Sequence, residues 1–433
     1  MERLFHLRAN GTTIRTELIA GVTTWLTMVY IVVVNPGILA DAGIDHGAAF
    51  VATCLAAAAG TLAMGLLANY PIALAPGMGL NAYFTYSVVK GMHLPWQTAL
   101  GAVFLSGVLF LLISLFRVRE WLINAIPLSL KLGIGAGIGL FLGLIGLQHM
   151  GLVAANKDTL VALGDLTEPS TQLACVGFLL IAGLSARRVP GAILIGVLAV
   201  AAAGMALGLG QFHGVVSTPP SLAPTLFKMD IPAALELGVG GVVFTFFLVD
   251  VLDNTGTLIA TTQAAGLATP EGKVPRLREA LLADSGGAIL GAVLGTSTTT
   301  SYIESAAGIE AGGRTGLTAV VVAVLFLLTL FFAPLAMSIP GFATAPALVF
   351  VACLMAASLR RIAWDDLTEF LPAVAVALCV PLTFSIATGI GLGFIVFAAV
   401  KLCAGRWREV SGAVWLIALA SLVRMALLHY TGG

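Results

Sequence analysis

The feature that most constrains this chain is a series of long apolar runs, each bounded by charged or turn-forming residues. A helix that crosses a bilayer needs roughly 20 mostly apolar residues. Runs of that kind lie at about 17–40, 47–68, 72–90, 96–116, 127–148, 171–186, 190–209, 233–262, 277–295, 297–311, 315–334, 341–359, 366–384 and 386–402. A last apolar stretch covers 411–430. Charged residues make up only 10% of the 433 positions, where a soluble domain carries about 25%. So few charges cannot cover a soluble surface of this size. The 21 Lys and Arg balance 21 Asp and Glu, which excludes a nucleic-acid binder, since that needs a basic excess. The five cysteines have no CxxC spacing and read as small buried apolar side chains, with no metal site. The expected class is an all-α polytopic membrane protein of about 14 transmembrane segments, embedded in a lipid bilayer.

The charges orient the chain. The first run lacks a cleavage site and is longer than a signal-peptide core, so it reads as a retained span. With the N-terminus in the cytoplasm, 17 of the 21 basic residues fall at cytoplasmic ends, as the positive-inside rule requires. Lys131 joins that set if its helix starts at Pro127, which leaves Arg119–Ile126 along the interface. The opposite loops hold the acids Asp41, Asp45, Asp158, Asp165, Glu168 and Asp230. The expected place is the cell (inner or plasma) membrane. All six histidines fall at helix ends or in loops, so no histidine relay through the membrane is expected.

Two runs do not read as plain helices. In Tyr70–Phe84, Pro76, Gly77 and Gly79 fall near mid-span, where they break a helix. In Gly295–Gly308, Thr298, Thr299 and Thr300 favour an extended strand, and Ser301-x-x-Glu304 reads as a capping box that starts a half-helix. Irregular backbone at membrane depth is tolerated where it is buried in protein or lines a cavity. The breaks fall in the third and tenth spans. That is the same slot in two seven-span halves, as in transporters that bind cargo between inverted repeats. Two short strands are therefore expected inside spans 3 and 10, with half-helix N-termini aimed at the cargo.

Few acids lie deep in the runs. Asp250 and Asp253 are three residues apart and near one helix face, with Thr257 one turn beyond. Glu304 follows the threonines. Each ionised acid costs roughly 2.5–3.5 kcal/mol at the bilayer centre, and no deep Lys or Arg offsets them. Asp253, Glu304 and Asp250 are the candidates for a coupling proton. Glu310 is expected to pair with Arg314 at i, i+4, and Asp284 to lie towards one end of its helix.

These segments resemble a known family. Asn35-Pro36, Ala75-Pro76-Gly77-Met78-Gly79-Leu80-Asn81-Ala82, Gly135–Phe141, Asp253-Asn254-Thr255-Gly256-Thr257, Thr300-Ser301-Tyr302-Ile303-Glu304-Ser305 and Pro381–Ala387 are similar to AzgA-type purine permeases of the nucleobase–cation symporter-2 superfamily. The resemblance covers nearly the whole chain. It implies a 7+7 inverted repeat with a core domain at 1–117 and 233–334, a gate domain at 118–210 and 341–402, and a cytoplasmic or interfacial segment at 403–433. It implies proton-coupled uptake of adenine, guanine or hypoxanthine, no cofactor beyond the proton, and a homodimer. It places substrate contacts at Asp253, Glu304 and Asn81. Relatives for uracil or xanthine carry Glu and often His where this chain has Asp253 and Thr257, which favours the purine branch.

The chemistry fits independently. A carboxylate accepts from the ring and amino N–H groups of a planar base, and Asn81 can both donate and accept. Thr257 completes the polar set, and Phe84 and Tyr302, with Tyr83 and Phe244, are available to stack. An enzyme is not expected: an intramembrane aspartyl protease needs a GxGD-type motif, and Gly164-Asp165 lies in a loop. An anion transporter of related fold would want a positive site. A sodium-coupled permease, a uracil or xanthine permease, and a passive channel remain alternatives.

Overall fold

The computed structural model describes residues 2–115, 126–236, 239–267 and 275–430. Most of the expected interfacial stretch Arg119–Ile126, together with Arg117 and Lys273, lies outside the described residues.

An element occupies every expected run. Span 1 is two helices, Ile14–Met28 and Ile31–Ala40, separated at Val29 and Tyr30. Span 2 runs His46–Ala63 and continues to Ala68. Span 3 is strand β1 (Leu74–Pro76), a short helix Met78–Ala82 and a wider turn Tyr83–Gly91. Spans 4 to 7 are Trp96–Leu115, Leu128–His149, Pro169–Ala186 and Ala192–Ala206. Span 8 holds Phe244–Ala264 and span 9 Leu277–Leu294. Span 10 is a strand (Thr299–Ser301) and the helix Ser305–Glu310. Spans 11 to 14 contain Gly316–Thr329, Gly341–Ala356, Leu367–Leu382 and Ile386–Cys403, and Gly412–Tyr430 follows. Among the described residues, eight helices are long and apolar enough to cross a membrane, the first being Ile14–Ala40. The others are shorter, broken or carry acids.

Helix starts follow the expected chemistry. The first N–H groups of a helix have no partner within it, and an oxygen-bearing residue just before them supplies one. Asp45 accepts from Ala48 N at 2.8 Å, Asp366 from Thr368 N at 2.9 Å, and Ser385 from Thr388 N at 3.2 Å.

The chain divides into two compact units. The first comprises Met1–Leu115 and Gly146–Ala347. Within it, span 11 packs on spans 1 and 2, while span 4 packs on spans 8 and 9. The fourth span of each repeat thus leans on the first two of the other, as an inverted pair requires. Glycine permits the tightest of these approaches: a Cβ on Gly316 would lie 1.9 Å from the carbonyl oxygen of Gly65. Between spans 5 and 6, a stretch expected as plain loop forms a hairpin, β2 (Val153–Asn156) with β3 (Leu160–Leu163). Asn156 Oδ1 accepts from the N–H groups of Asp158 and Thr159 at 2.8 and 3.0 Å and closes the turn. Span 10's strand is accordingly β4.

The second unit comprises Phe116–Ile145 and Leu348–Gly433. Five of its charged side chains, Asp366, Glu369, Lys401, Arg406 and Glu409, form one cluster. Lys401, wholly buried at the end of span 14, lies 2.6 Å from Glu369 and 2.8 Å from Glu409. Ser129 donates to Glu369 at 2.5 Å, and Arg406 binds Asp366 and Glu409, each at 2.7 Å.

Candidate substrate site

The site is built where the two broken spans meet inside the first unit. Pro76 has no N–H and Gly77 lacks a side chain, so span 3 cannot enter the bilayer as a continuous helix. The threonines of span 10 are β-branched and adopt the strand conformation readily. The segments pair antiparallel, with Leu74 opposite Ser301, Ala75 opposite Thr300 and Pro76 opposite Thr299. Gly77 N donates to Thr298 O and Tyr302 N to Ala73 O, both at 2.9 Å. This two-strand crossing satisfies backbone that lipid could not.

Side chains from the other spans hold the crossing. Asn254 of span 8 accepts from Ser301 N at 2.7 Å and donates to Asp250 at 2.7 Å. Asn35 of span 1 donates to Thr53 at 2.7 Å and to Thr296 at 2.9 Å. Asn81 is wholly buried and accepts from the Ser297 hydroxyl. Its Nδ2 has no partner among the described residues.

The two candidate carboxylates are brought together. Glu304 lies after β4, half-buried, and its Oε1 accepts from the Tyr30 hydroxyl at 2.8 Å. Asp253 sits on span 8 with an exposed side chain, although Val249, Asp250, Val251 and Asn254 around it are buried. It lies within electrostatic reach of Glu304 and Tyr302. Thr257, one turn on, is half-buried. Asp250 is wholly buried, so its Asn254 bond places it behind the site.

The aromatic residues differ. Phe84 is wholly buried in packing. Tyr302 is 5% exposed, and its hydroxyl donates to Pro76 O at 2.5 Å, which ties span 10 to span 3. Tyr83 packs edge-on against Phe246 at 4.8 Å.

Three expectations are corrected. Ser301 and Glu304 do not form a capping box: β4 runs through Ser301, whose N–H goes to Asn254, and the half-helix begins at Ser305 with no side-chain cap. Arg314 does not bind Glu310. Its guanidinium donates to the carbonyls of Ile309 and Gly313 at 2.6 and 2.8 Å, while Glu310 is exposed. Asp284 is not near a helix end but wholly buried in the middle of span 9.

Several residues of the site escaped sequence reasoning. Tyr30 had a signal, a lone phenol in the middle of an apolar run. Asn254 had one in its i, i+4 spacing from Asp250. Outside the site, the buried Glu17 had none, since its partners are near residue 315. Elsewhere in the unit, an apolar cavity of about 220 Å³ is lined by Trp25, Val32 and Val33 of span 1, Leu194 and Leu198 of span 7, and Phe332. Such a wall offers little to orient a polar planar ligand.

Comparison with known proteins agrees with this architecture. Residues 15–392 match the model of the Permease family, Xan_ur_permease. Adenine permease AdeP of Escherichia coli (strain K12) is 49% identical over 99% of this chain and 96% of its own length. Guanine/hypoxanthine permease PbuO of Bacillus subtilis (strain 168) is 46% identical over 98% of this chain and 100% of its own. Among solved structures, the transmembrane domain of the cyanobacterial bicarbonate transporter BicA superposes with a TM-score of 0.65 at 16% identity, covering 88% of this chain and 97% of that one. That likeness is one of fold, with inverted repeats. Paired broken spans, the match along almost the whole chain and these relatives lead to one conclusion: the chain is a multi-pass membrane transporter, not an enzyme, and it belongs to the Permease family.

Proposed function

We infer that this permease imports purine nucleobases (adenine, guanine or hypoxanthine) by proton symport. One observation carries the reading: Asp253 and Glu304 stand on two different spans at the strand crossing, within electrostatic reach, with no Lys or Arg acting on either among the described residues. Two such carboxylates repel unless a proton, a cation or a donor-bearing ligand lies between them. A neutral purine supplies adjacent N–H donors on its edge, and a proton removes the remaining charge. Asn81, with an unused amide N–H, can donate to a ring nitrogen or carbonyl of the base. Relatives that transport adenine or guanine and hypoxanthine support the purine class.

Asp253, Glu304, Asn81 and Thr257 are the polar contacts in this reading. Phe84 and Tyr302 wall the base, and Asp253 or Glu304 carries the proton, with Asp250 behind them. Spans 1–4 and 8–11 act as the core that carries the base, and spans 5–7 and 12–14 as the gate that alternates its access. The N-terminus faces the cytoplasm, and two copies form a homodimer. Uptake of labelled adenine, guanine, hypoxanthine and uracil into proteoliposomes, with proton and sodium gradients imposed separately, tests this. Saturable purine uptake driven by an inward proton gradient is expected. Uptake driven by sodium alone overturns the coupling, and the absence of any nucleobase uptake overturns the reading.

A further inference from the structure

Tyr30 is the polar side chain that span 1 contributes at the point where its helix stops. The break between Ile14–Met28 and Ile31–Ala40 falls at Val29 and Tyr30. The ring is 1% exposed, so its hydroxyl must find a partner inside the protein. That partner is Glu304 Oε1, at 2.8 Å. One turn earlier, the Thr27 hydroxyl reaches the backbone oxygen of the same residue at 3.4 Å. Span 1 therefore holds both the carboxylate and the backbone of Glu304. Apart from Tyr30, the carboxylate has only the N–H of its own residue among the described donors.

We propose that Tyr30 is a positioning residue for Glu304, fixing the orientation in which the carboxylate meets the base and favouring its ionised form. The inference rests on the nucleobase reading above. A phenol that donates to a carboxylate stabilises the charged state, because the protonated acid accepts more weakly. Its direction also removes one of the two lone-pair sets from competition, so the base's N–H meets an oxygen already aimed. Among the described residues, the charged and titratable groups that act on Glu304 are Asp253 from span 8, Tyr302 from its own segment and Tyr30 from span 1. Tyr30 is the one among them that donates to it directly.

The test is Tyr30→Phe, which keeps the ring and removes only the O–H. In proteoliposomes with an inward proton gradient, KM for adenine is expected to rise about tenfold, with the maximal rate changed less. The fall of uptake at high external pH should move to higher pH, by up to about one unit for each tenfold change in proton affinity. The sign follows from the bond: without the donor, Glu304 keeps its proton to higher pH. A second substitution, Tyr30→3-fluorotyrosine, makes the O–H a stronger donor with almost no change in shape, and should move the profile the opposite way. It reads the same bond if Y30F fails to fold. A KM and pH profile equal to wild type in either folded variant overturns the inference, whatever happens to thermal stability. If the wild-type protein takes up no nucleobase, the functional reading fails first and the inference falls with it.

Discussion

The first helix of span 1 meets a carboxylate at each end, and the two are treated in opposite ways. Glu17, in its first turn, is wholly buried. Its oxygens accept from Arg314 N at 2.9 Å, Thr318 N at 3.2 Å, Thr315 N at 3.3 Å and the Thr318 hydroxyl at 2.6 Å. These are the orphan donors at the start of span 11, so Glu17 caps a helix on which span 1 packs. Glu304, beyond the other end, is half-buried and receives the Tyr30 phenol. A carboxylate surrounded by backbone donors has no capacity left for cargo. One that is partly open and held from a single side retains it. Burial of an acid in a membrane protein is therefore a poor guide to function until its donors are counted.

The largest effect should come from Glu17. Glu17→Ala leaves the buried N–H groups of Arg314 and Thr315 unpaired and takes the carboxylate from the Thr318 N–H and hydroxyl, which keep only Thr315 O at 3.2 Å and Glu17 O at 3.5 Å, and hydrogen bonds to a charged group contribute about 1.5–3 kcal/mol each. A loss of about 3–5 kcal/mol is expected, seen as a marked fall in the thermal or denaturant midpoint in detergent. Protein that remains folded should keep the wild-type KM. Glu304→Gln and Asp253→Asn should do the reverse. Their midpoints should stay close to wild type, while uptake falls by about a hundredfold or more, on the order of 2.7 kcal/mol. A Glu17 variant that is stable but inactive, or a Glu304 variant that is active but unstable, would break the contrast.

The same contrast explains how much was legible beforehand. The spans, and the breaks in spans 3 and 10, follow from apolar run length and from Pro76, Gly77 and the threonines, all of which act on their own few residues. Two short strands were legible because both breaks fall in the same slot of each half, but their pairing was not, because it joins Leu74–Pro76 to the distant Thr299–Ser301. Glu17 was invisible because its partners lie some three hundred residues away. The expected capping box at Ser301 and Glu304 failed for the same reason. The i, i+3 pattern is local, but Asn254 offers the Ser301 N–H a partner from another span, and Tyr30 offers one to Glu304. Asp253 and Glu304 themselves were legible because acids in apolar runs stand out. Which of the deep acids is open to a ligand was not, since exposure depends on packing between spans.

Asn254, the residue after Asp253, sharpens the comparison. It links Asp250 to the backbone of β4 through bonds of 2.7 Å each. Asn254→Ala should loosen the strand crossing on which Glu304 is carried without removing a carboxylate from the site. An approximately tenfold rise in KM is expected, about 1.4 kcal/mol, with the pH profile of uptake unmoved. A hundredfold loss would place Asn254 among the groups that touch the base.

The smallest effect concerns acids that are neither buried caps nor site groups. Asp366 and Glu409 lie in the connections on either side of spans 13 and 14. Hydrogen bonds from the Thr368 hydroxyl and then from Arg406 hold Asp366 down to about 2, and bonds from Arg406 and then Lys401 hold Glu409 down to about 2. A depressed carboxylate contributes stability that is fully present above its unfolded value and is lost as pH falls through its folded one. The window therefore opens below the ordinary values of 3.8 and 4.5 and closes near pH 2. The unfolding midpoint in detergent should be flat from neutral pH down to about pH 5 on this account, then fall gently. Arg406→Ala should flatten the acid limb, with little change at neutral pH because exposed ion pairs contribute little. An acid limb unchanged in Arg406→Ala would overturn the assignment of this window to Asp366 and Glu409.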